Sequence, residues 1–385
     1  MLSNQPLNRF KRITTSGAYY PEIDGIRFLC IVMVMLCHVE NYVRLFIITS
    51  GDTQFSLIAY LMQNGGMAVF AFFSLSGYIL SLPFLRARFL KTAPPSLKKY
   101  FLRRLTRLEP PYIIALVLSF VAFVYVLHSY TFNELFPHFL ASLFYVHHIF
   151  YPHSYPLVLA VAWTLEVEMM FYITLPVLLY LLYKLPTVYR RLIMFLVILI
   201  VPWLRIGIFS YNNFLFANIP YFLAGVLVAE HIVLKESPLS FLPASIKPAL
   251  LACLFFVFFV TGYSPLSFNH VGIDAILLYF VFILIIIDKT GYRFFANKYI
   301  ATIGGMCYSI YLTHYAVISF VGRYIHYRFF NENFLGNLFM YSIIFLVPAF
   351  VAGAIFYLLI EQPAMKKNWW KRAGNKAIMT AEVQD

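Results

Sequence analysis

The sequence predicts an all-α, polytopic integral membrane protein with about ten transmembrane helices. Of its 385 residues, 62% are hydrophobic and only 12% are charged, whereas soluble domains contain roughly 25% charged residues. Apolar runs near the length of about 20 residues that a helix needs to cross the hydrocarbon core recur along the chain. The positive charges also concentrate in alternate connections between these runs. All three observations predict a membrane domain.

The apolar runs divide the chain into three parts. A polar, basic segment at 1–22 precedes a membrane domain at 23–360, and a basic tail at 361–385 follows it. Residues 132–151 are aromatic and are broken by Pro137, so we interpret them as an interfacial or re-entrant piece. The predicted spans are 23–48, 65–85, 110–128, 161–183, 191–209, 214–234, 248–263, 272–288, 301–322 and 336–360.

The Lys and Arg residues predict the orientation, because cytoplasmic connections of membrane proteins carry an excess of both. If the N-terminus is cytoplasmic, nearly all of the 29 Lys and Arg residues fall in cytoplasmic segments. Both termini are therefore predicted to be cytoplasmic. This placement accounts for most of the net charge of +13 without a nucleic-acid partner. The exceptions are Arg27, Arg44, Arg205, Arg323 and Arg328.

Cysteine and histidine patterns do not indicate a metal site or a disulfide framework. The cysteines lie in apolar segments without a CxxC pair, so we interpret them as small buried hydrophobic residues. No HExxH pattern accompanies the histidines between the third and fourth predicted spans, which we interpret as loop and interface residues. The residues concerned are Cys30, Cys37, Cys253 and Cys307, and His128, His138, His147, His148 and His153.

The first predicted span carries an arginine and a histidine on one face. Eleven positions of about 100° each bring His38 within about 20° of the direction of Arg27, roughly 16 Å further along the axis. Asp24 lies three positions before Arg27, a spacing that suits an ion pair. A histidine in a partly desolvated site favours the neutral form that a general base needs. The alternative is that Arg27 is an interfacial residue and His38 an interhelical hydrogen-bonding residue.

An arginine cluster precedes the third predicted span, in "RRLTRLEPPY", residues 103–112. Arg104 and Arg107 are three positions apart and share a helical face, and Arg103 lies beside them. Guanidinium groups bind phosphate oxygens in a bidentate manner. We expect the double proline at 110–111 to act as a stop after these arginines. The alternative is ordinary positive-inside charge with anionic lipid headgroups as partners.

Further polar residues lie in predicted spans, where ionisable side chains are costly and are therefore candidates for function. Glu166 and Glu168 are two positions apart and point to different faces, so that one of them can orient a catalytic histidine or bind substrate hydroxyls. Two interfacial carboxylates beside Trp163 are the alternative. Ser76, next to Gly77 in an aromatic helix, is explained by helix packing.

The ninth predicted span contains Tyr311 and His314, which are three positions apart and share one helical face. His314 would lie near the middle of the membrane, where a polar side chain needs a partner.

Six segments carry a resemblance to a known family when they are taken in order. They are "IDGIRFLCIVMVMLCH", in which ten residues separate Arg from His, "FFSLSGYIL", "RRLTRLEPPY", "WTLEVEMMFY", "YSIYLTHYAV" and "IEQPAM". Together they resemble the acyltransferase-3 family of polytopic membrane acyltransferases, which O-acylate sugars of cell-surface glycans and related acceptors. The resemblance runs from residue 21 to about residue 363. Each motif is weak alone, and their common order makes the resemblance specific.

The resemblance implies a donor on the cytoplasmic side, an acyl-CoA and by default acetyl-CoA, which acts as a substrate and not as a permanently bound cofactor. Arg104 and Arg107, together with Arg103, would hold the donor's phosphates. His38 would take the proton from the acceptor hydroxyl, and Arg27 would position His38 or bind the donor.

On the acceptor side, the resemblance implies a surface polysaccharide, a lipopolysaccharide or a related glycan at the outer face of a bacterial cytoplasmic membrane. Glu168 matches the family's acidic position and would be catalytic. Tyr311, His314, Ser76 and Trp163 stand in the family's motifs and are the expected substrate-binding residues. Membrane lipids are the other expected partners.

Some features depart from the family's pattern. Phe70 and Met169 stand where the family often has polar or acidic residues. The hydrolase-like extracytoplasmic domain of some members has no counterpart, so a stand-alone form is expected. Two alternatives remain. One is a transporter of glycan or lipid precursors, for which we find no paired halves with broken helices. The other is a membrane scaffold without catalysis.

Overall fold

The computed structural model describes residue 10 and residues 19–47, 56–152, 154–202, 215–261, 270–331 and 333–366. Most of the predicted N-terminal segment 1–22 and of the tail 361–385 lies outside the described residues, as do Arg205 and His153. The described residues form helices joined by turns and short connections, with no strand among them.

Helices α1 to α7 make up the first part of the described chain. A 3₁₀ turn at Asn64–Met67 joins α2 to α3 into one continuous helical segment, and π-helical turns extend α1 to Ile47 and α4 to Val126. The helices are α1 (Pro21–Tyr42), α2 (Leu57–Gln63), α3 (Ala68–Phe89), α4 (Leu97–Val121), α5 (Phe132–Leu143), α6 (His147–Phe150) and α7 (Ala162–Leu182).

Helices α8 to α16 make up the second part. A π-helical turn extends α11 to Ile287, and another, Tyr357–Glu361, joins α15 to α16. The helices are α8 (Thr187–Ile200), α9 (Leu215–Leu234), α10 (Lys247–Thr261), α11 (Val271–Phe282), α12 (Tyr292–Phe295), α13 (Lys298–Gly305), α14 (Cys307–Tyr324), α15 (Phe334–Phe356) and α16 (Gln362–Met365).

The all-α polytopic class is confirmed. Described helical residues occur at each of the predicted spans. Five helical segments of the described chain are long and apolar enough to cross a membrane, and two shorter apolar helices accompany them. The five are Leu57–Phe89, Leu97–Val126, Ala162–Leu182, Phe216–Leu234 and Phe334–Met365, and the shorter ones are Lys247–Thr261 and Val271–Ile287.

Contacts between connecting segments define the two ends of the helix bundle. At the end that the charge pattern predicts to be cytoplasmic, called the inner end, Lys289 pairs with Glu22 at 2.5 Å, and Lys247 pairs with Asp288 at 2.7 Å. These segments are the ones that the charge pattern groups on one side of the membrane. At the opposite end, called the outer end, the Arg328 side chain donates to the Ile47 carbonyl at 2.8 Å. The predicted alternation of connections between two ends therefore agrees with the fold.

Proline does not interrupt the helices where the sequence predicts it. Helix α4 runs through Pro110 and Pro111, so the expected stop after the arginine cluster is wrong. The hydroxyl of Tyr308 donates to the Leu108 carbonyl at 2.9 Å in the turn before the prolines, so α14 contacts α4 at this point. Neighbouring helices make proline tolerable within a membrane helix. The arginines therefore lie on the same continuous helix as the third span.

The aromatic stretch at 132–151 also differs from expectation, because α5 runs through Pro137. The break comes instead at Tyr145, whose φ is 57°. A capping box between Thr131 and Glu134 stabilises the start of α5. The stretch forms two short helices, α5 and α6, and its interfacial or re-entrant placement stays a prediction.

Two glycines allow α3 and α9 to form the most extensive helix contact of the described chain. A Cβ atom at Gly77 would lie 2.1 Å from the Phe222 carbonyl oxygen, and one at Gly225 would lie 1.9 Å from that of Ser74. Neither site has room for a methyl group, so the two backbones touch directly, as small residues permit in membrane bundles. Ser74 adds a hydrogen bond from Oγ to the Tyr221 carbonyl at 2.8 Å.

A buried ion-pair cluster joins α8 to α9 near the inner end. Glu230 is fully buried and accepts hydrogen bonds from Arg190, Arg191 and Tyr183 at 2.7 to 2.9 Å. A buried carboxylate needs such partners, because burial removes its hydration. This cluster joins two helices that do not line the cavity described below.

The interpretation of the cysteines as buried residues is right for two of them. Cys30 and Cys307 are buried and Cys37 is partly exposed, whereas Cys253 is exposed. Cys253 lies on an outward face of α10, where a weakly polar thiol is as acceptable in a membrane helix as a small apolar side chain.

Candidate active site

A cavity with a volume of about 1040 Å³ lies at the inner end of the bundle. Its rim includes the exposed side chains of Lys99 and Lys366. Its deeper wall includes Phe72, Thr164 and Tyr311. The cavity brings together segments from both halves of the sequence. Its lining residues come from α1, α3, α4, α7, α13, α14 and α16 and from the residues next to these helices.

Basic residues predicted to bind the donor line this cavity. Arg103, Arg104 and Arg107 all contribute to its wall from α4, as the continuous helix through the double proline allows. Arg27 contributes from α1 and pairs with Asp24 at 2.5 Å. The ion pair expected from the spacing of Asp24 and Arg27 is therefore present, and the arginines of two distant motifs face one space.

A connected set of polar side chains crosses the cavity wall between α3, α4 and α7. Ser76 donates a hydrogen bond to Glu168, and Tyr172 hydrogen-bonds the same carboxylate from the next turn of α7. The Arg104 guanidinium lies over the Tyr172 ring, 5.7 Å from its centroid. Tyr172 thus links a cation to a carboxylate, and Arg104 is held by its aromatic contact without direct pairing to Glu168.

The interpretation of Ser76 by helix packing is only part of the explanation of its motif. Ser74 and Gly77 pack against α9, as that interpretation requires. Ser76 lies on a different face of α3 and points to the cavity and to Glu168. The motif therefore serves packing with one face and the cavity with the other.

Tyr311 separates the cavity from the two histidines. Its hydroxyl shares a hydrogen bond with Thr164 Oγ1 at 2.9 Å, which holds α14 against α7. The ring of His314 lies 5.6 Å from that of Tyr311, and the ring of His38 lies 5.3 Å from that of His314. Neither histidine lines the cavity. The three rings form a series that leads from the cavity to α1.

Trp163 and Glu166 lie apart from these residues. Trp163 packs edge-on against Phe73 at 6.2 Å and near Tyr155 at 6.5 Å, outside the cavity. Glu166 is fully buried and accepts from the backbone N–H groups of His147 and His148 at 3.2 Å each. Glu166 and Glu168 therefore point to different faces of α7, as predicted.

The histidines between the third and fourth predicted spans are more buried than expected for loop and interface residues. The side chains of His147 and His148 are buried. The ring of His148 is 2.5 Å from Glu166, and the ring of His147 is 2.9 Å from that of His138. Glu166 thus holds α6 against the first turns of α7. In the part of the chain that the structure describes, no group of three or more His, Cys, Asp or Glu side chains is arranged to hold a metal ion.

The reasoning from sequence missed three lining residues near the end of the chain and at the start of α14. Glu361 is buried, lines the cavity and accepts from the Ser309 hydroxyl at 2.5 Å and the Ser309 N–H at 3.1 Å. Tyr308 and Cys307 line the cavity beside it. The motifs "YSIYLTHYAV" and "IEQPAM" contain these residues, and a carboxylate at the end of an apolar span was the signal for Glu361.

A comparison with protein families identifies the membrane domain. The family described as "Acyltransferase domain" matches residues 20–371. The chain belongs to the acyltransferase-3 family. The match covers every helix that contributes to the cavity and both histidines, so the resemblance drawn from the six motifs is confirmed.

The relatives include O-acetyltransferases of Listeria monocytogenes and Staphylococcus aureus. The chain is 26% identical over 338 residues to "Peptidoglycan O-acetyltransferase OatA" of Listeria monocytogenes, covering 80% of this chain and 51% of that protein. It is 27% identical over 335 residues to a putative O-acetyltransferase of Staphylococcus aureus, covering 80% and 52%.

A further relative, "O-acetyltransferase OatA" of Staphylococcus aureus, is 24% identical over 393 residues, covering 94% of this chain and 60% of that protein. The chain thus spans about half to three fifths of the length of these curated relatives. No solved structure matches the chain.

Proposed function

We propose that the protein is a membrane O-acyltransferase that moves an acyl group, acetyl by default, from acyl-CoA to a glycan hydroxyl. The donor binds on the cytoplasmic side and the acceptor lies on the outer side of a bacterial cytoplasmic membrane. One observation carries this proposal. The cavity has an arginine-lined mouth at the inner end, and its deep wall at Tyr311 leads through His314 to His38.

The donor suits the cavity in charge and size. Acyl-CoA carries phosphates at one end and a thioester at the end of a long pantetheine arm. Arg103, Arg104 and Arg107 supply guanidinium groups at the mouth, where they bind phosphate oxygens through paired N–H donors. A volume of about 1040 Å³ is at the upper limit of the range typical of ligand pockets. The rest of the donor then extends toward Thr164 and Tyr311.

His38 acts as the general base in this proposal. Its ring takes the proton of the acceptor hydroxyl as the oxygen attacks the thioester carbonyl carbon. The tetrahedral intermediate collapses, the carbon–sulfur bond breaks, and the CoA thiolate leaves with a proton returned from the imidazolium. The products are the O-acyl ester and free CoA. Arg27 binds the donor from the inner turn of the same helix face, since it lines the cavity.

Glu168 and Ser76 contribute to catalysis from the wall of the cavity. Their hydrogen bond holds a carboxylate where the arm of the donor passes. Tyr311 binds substrate next to His38, and Trp163 contacts the acceptor together with the exposed ring of Tyr155. These roles agree with the positions of the residues in the family's motifs. His314, which the motif suggests as a substrate-binding residue, is fully buried and contacts His38 instead.

The acceptor class rests on the relatives, whose names describe O-acetylation and, in one case, peptidoglycan. We extend this to a surface polysaccharide, a lipopolysaccharide or a related glycan. The positive-inside pattern supports the orientation, with both termini and the cavity mouth in the cytoplasm. Lipids of the membrane surround the outward faces of the bundle.

Membrane vesicles that carry the native acceptor test this proposal directly. Inside-out vesicles from a deletion strain that expresses the chain expose the predicted cytoplasmic face and retain the glycans of that strain. After addition of acetyl-CoA labelled in its acetyl group, we expect base-labile label in the glycan fraction and release of CoA thiol.

Vesicles from the deletion strain alone are the control. An exporter would not consume acetyl-CoA, and a scaffold would not do so after purification and reconstitution. If the purified chain, reconstituted with the glycan fraction of the deletion strain inside the liposomes, leaves labelled acetyl-CoA intact, the proposed function is wrong.

A further inference from the structure

His314 is the most completely buried of the histidines near the candidate site, with no exposed surface. Its Nδ1 atom lies 2.8 Å from the Tyr311 carbonyl oxygen and 3.2 Å from the Ile310 carbonyl oxygen. A carbonyl oxygen only accepts hydrogen bonds, so Nδ1 carries the proton. In the neutral ring, Nε2 is then a bare acceptor, and the backbone of α14 fixes this tautomer.

The Nε2 acceptor of His314 is buried and has no hydrogen-bond partner among the described residues. Buried acceptors without a partner are rare, and each one calls for a functional explanation. Tyr311 occupies the side of the ring toward the cavity, and the His38 ring lies 5.3 Å away with a tilt of 39°. His38 is therefore the nearest aromatic ring that can supply an N–H donor to this atom.

A general-base histidine needs a second group that holds its other nitrogen. Such a group fixes the tautomer, orients the ring and stabilises the imidazolium that forms during the reaction. The rings in contact with His38 are those of His314 and Tyr315, both from α14. Tyr315 is 38% exposed, whereas His314 is buried and fixed by the backbone. Only His314 offers a pre-oriented acceptor.

We propose that His314 is a positioning residue, whose Nε2 atom accepts the ring N–H of His38 and leaves the other nitrogen of His38 free to face the acceptor hydroxyl. This inference rests on the proposed function and assigns to His314 a role other than substrate binding. Two imidazole rings with centroids 5.3 Å apart can bring facing nitrogens within hydrogen-bond distance, so a rotation of the His38 ring is enough to form this bond. During transfer, the proton taken from the hydroxyl stays on His38 until the thiolate receives it, and His314 keeps its own proton on Nδ1 throughout.

Two substitutions of His314 separate its two ring nitrogens. In His314→Asn the side-chain amide nitrogen stands in for Nδ1 and keeps the bond to the Tyr311 carbonyl, but the acceptor at the Nε2 position is lost. In His314→Gln an amide oxygen reaches the Nε2 position. Both variants, purified and reconstituted with the glycan fraction of the deletion strain, are assayed for kcat and for the KM of labelled acetyl-CoA.

We expect His314→Asn to lower kcat by about 10²-fold with an unchanged KM for acetyl-CoA, the scale of loss for a misplaced reacting group. We expect His314→Gln to recover most of this loss. A wild-type kcat in His314→Asn overturns the inference. So do equal losses in both variants, because they show that only the backbone bond or the ring volume matters.

A second measurement does not depend on the absolute rate of either variant. In a His38→Ala background, His314→Asn should cause no further loss, because residues that act as a unit are not additive. A further loss of 10-fold or more shows that His314 acts independently of His38 and overturns the inference. If the wild-type protein transfers no acetyl group, the proposed function fails and this inference fails with it. If the wild-type protein transfers acetyl groups and one of the overturning results is found, the role of His314 is wrong but the proposed function stands.

Discussion

Ser76 of α3 donates a hydrogen bond to Glu168 of α7 at the wall of the cavity. The two residues are 92 positions apart and belong to separate motifs, "FFSLSGYIL" and "WTLEVEMMFY". Glu168 also hydrogen-bonds Tyr172, whose ring lies under the Arg104 guanidinium. An ionisable side chain is costly within a membrane helix and is therefore a candidate for function, and this half-buried carboxylate connects the predicted donor residues to α3.

This relationship predicts different effects for two substitutions. Glu168→Gln keeps an oxygen that accepts from Ser76 but removes the charge, and we expect kcat for acetyl transfer to fall about 10²-fold. Ser76→Ala removes one hydrogen bond and should cost less, roughly 0.5–1.5 kcal/mol, which corresponds to a fall of about 2- to 13-fold in rate. Thr174→Ala, at an exposed position of the same α7 helix, is the control. Equal rates in Glu168→Gln and the control would show that the carboxylate has no catalytic role.

The arginine cluster predicts an effect on donor affinity. Arg104→Lys keeps a positive charge but loses the planar pair of donors, so the KM for acetyl-CoA should rise with little change in kcat. Loss of a charged hydrogen bond costs roughly 1.5–3 kcal/mol, which corresponds to an increase of about 10- to 100-fold.

Arg293→Ala, at an exposed position of α12 outside the cavity, is the matched control. Vesicle assays over a range of acetyl-CoA concentrations measure both variants. If Arg104→Lys and Arg293→Ala share the wild-type KM, the donor does not bind at this cluster.

The contact between α3 and α9 predicts a stability effect at Gly225. A methyl group there would overlap the Ser74 carbonyl oxygen, so Gly225→Ala should destabilise the fold by roughly 1–3 kcal/mol or more. Gly66→Ala is the control, because its new Cβ atom would meet only Cys37 Sγ at 3.7 Å. Heat unfolding of both variants in detergent measures the difference. Equal unfolding midpoints for Gly225→Ala and Gly66→Ala would show that α3 and α9 do not touch at Gly225.

The buried cluster around Glu230 predicts a loss of stability that is separate from the cavity. Glu230→Ala leaves the buried Arg190 guanidinium without its carboxylate, and breaking such a pair costs roughly 3–5 kcal/mol. Replacing both residues, Arg190→Met with Glu230→Leu, should restore much of the lost stability, since apolar side chains need no ionic partner. Unfolding midpoints and expression levels measure both proteins. An unchanged midpoint in Glu230→Ala would contradict the burial of this pair.

Much of the fold and part of the site follow from local sequence. Helix periodicity alone placed Arg27 and His38 on one face, and the three-residue spacing predicted the Asp24–Arg27 pair. The positions of the apolar runs predicted the helices, because length in a membrane is set by the thickness of the hydrocarbon core. These features depend on residues within one helix, which is why the sequence predicts them.

Relations between distant helices were not predictable from one sequence. Nothing in the spacing of residues shows that Ser76 meets Glu168, or that His314 lies beside His38 on another helix. The double proline was misleading because the continuation of a membrane helix through proline depends on neighbouring helices, and α14 contacts α4 at Leu108. The order of the motifs along the chain was a partial substitute. The motif "IEQPAM" includes Glu361, but nothing in its spacing shows that this residue lines the cavity.

The role of His38 is tested most directly by the rate of acetyl transfer of His38→Ala in inside-out vesicles. If His38 is the general base, this rate falls by about 10²- to 10⁴-fold. Stabilisation of the purified variant against heat by acetyl-CoA should persist, because the donor binds in the cavity and His38 does not line it. His326→Ala, at an exposed histidine of the outer end, should retain the wild-type rate. Acetyl transfer by His38→Ala at the wild-type rate would show that His38 is not the general base.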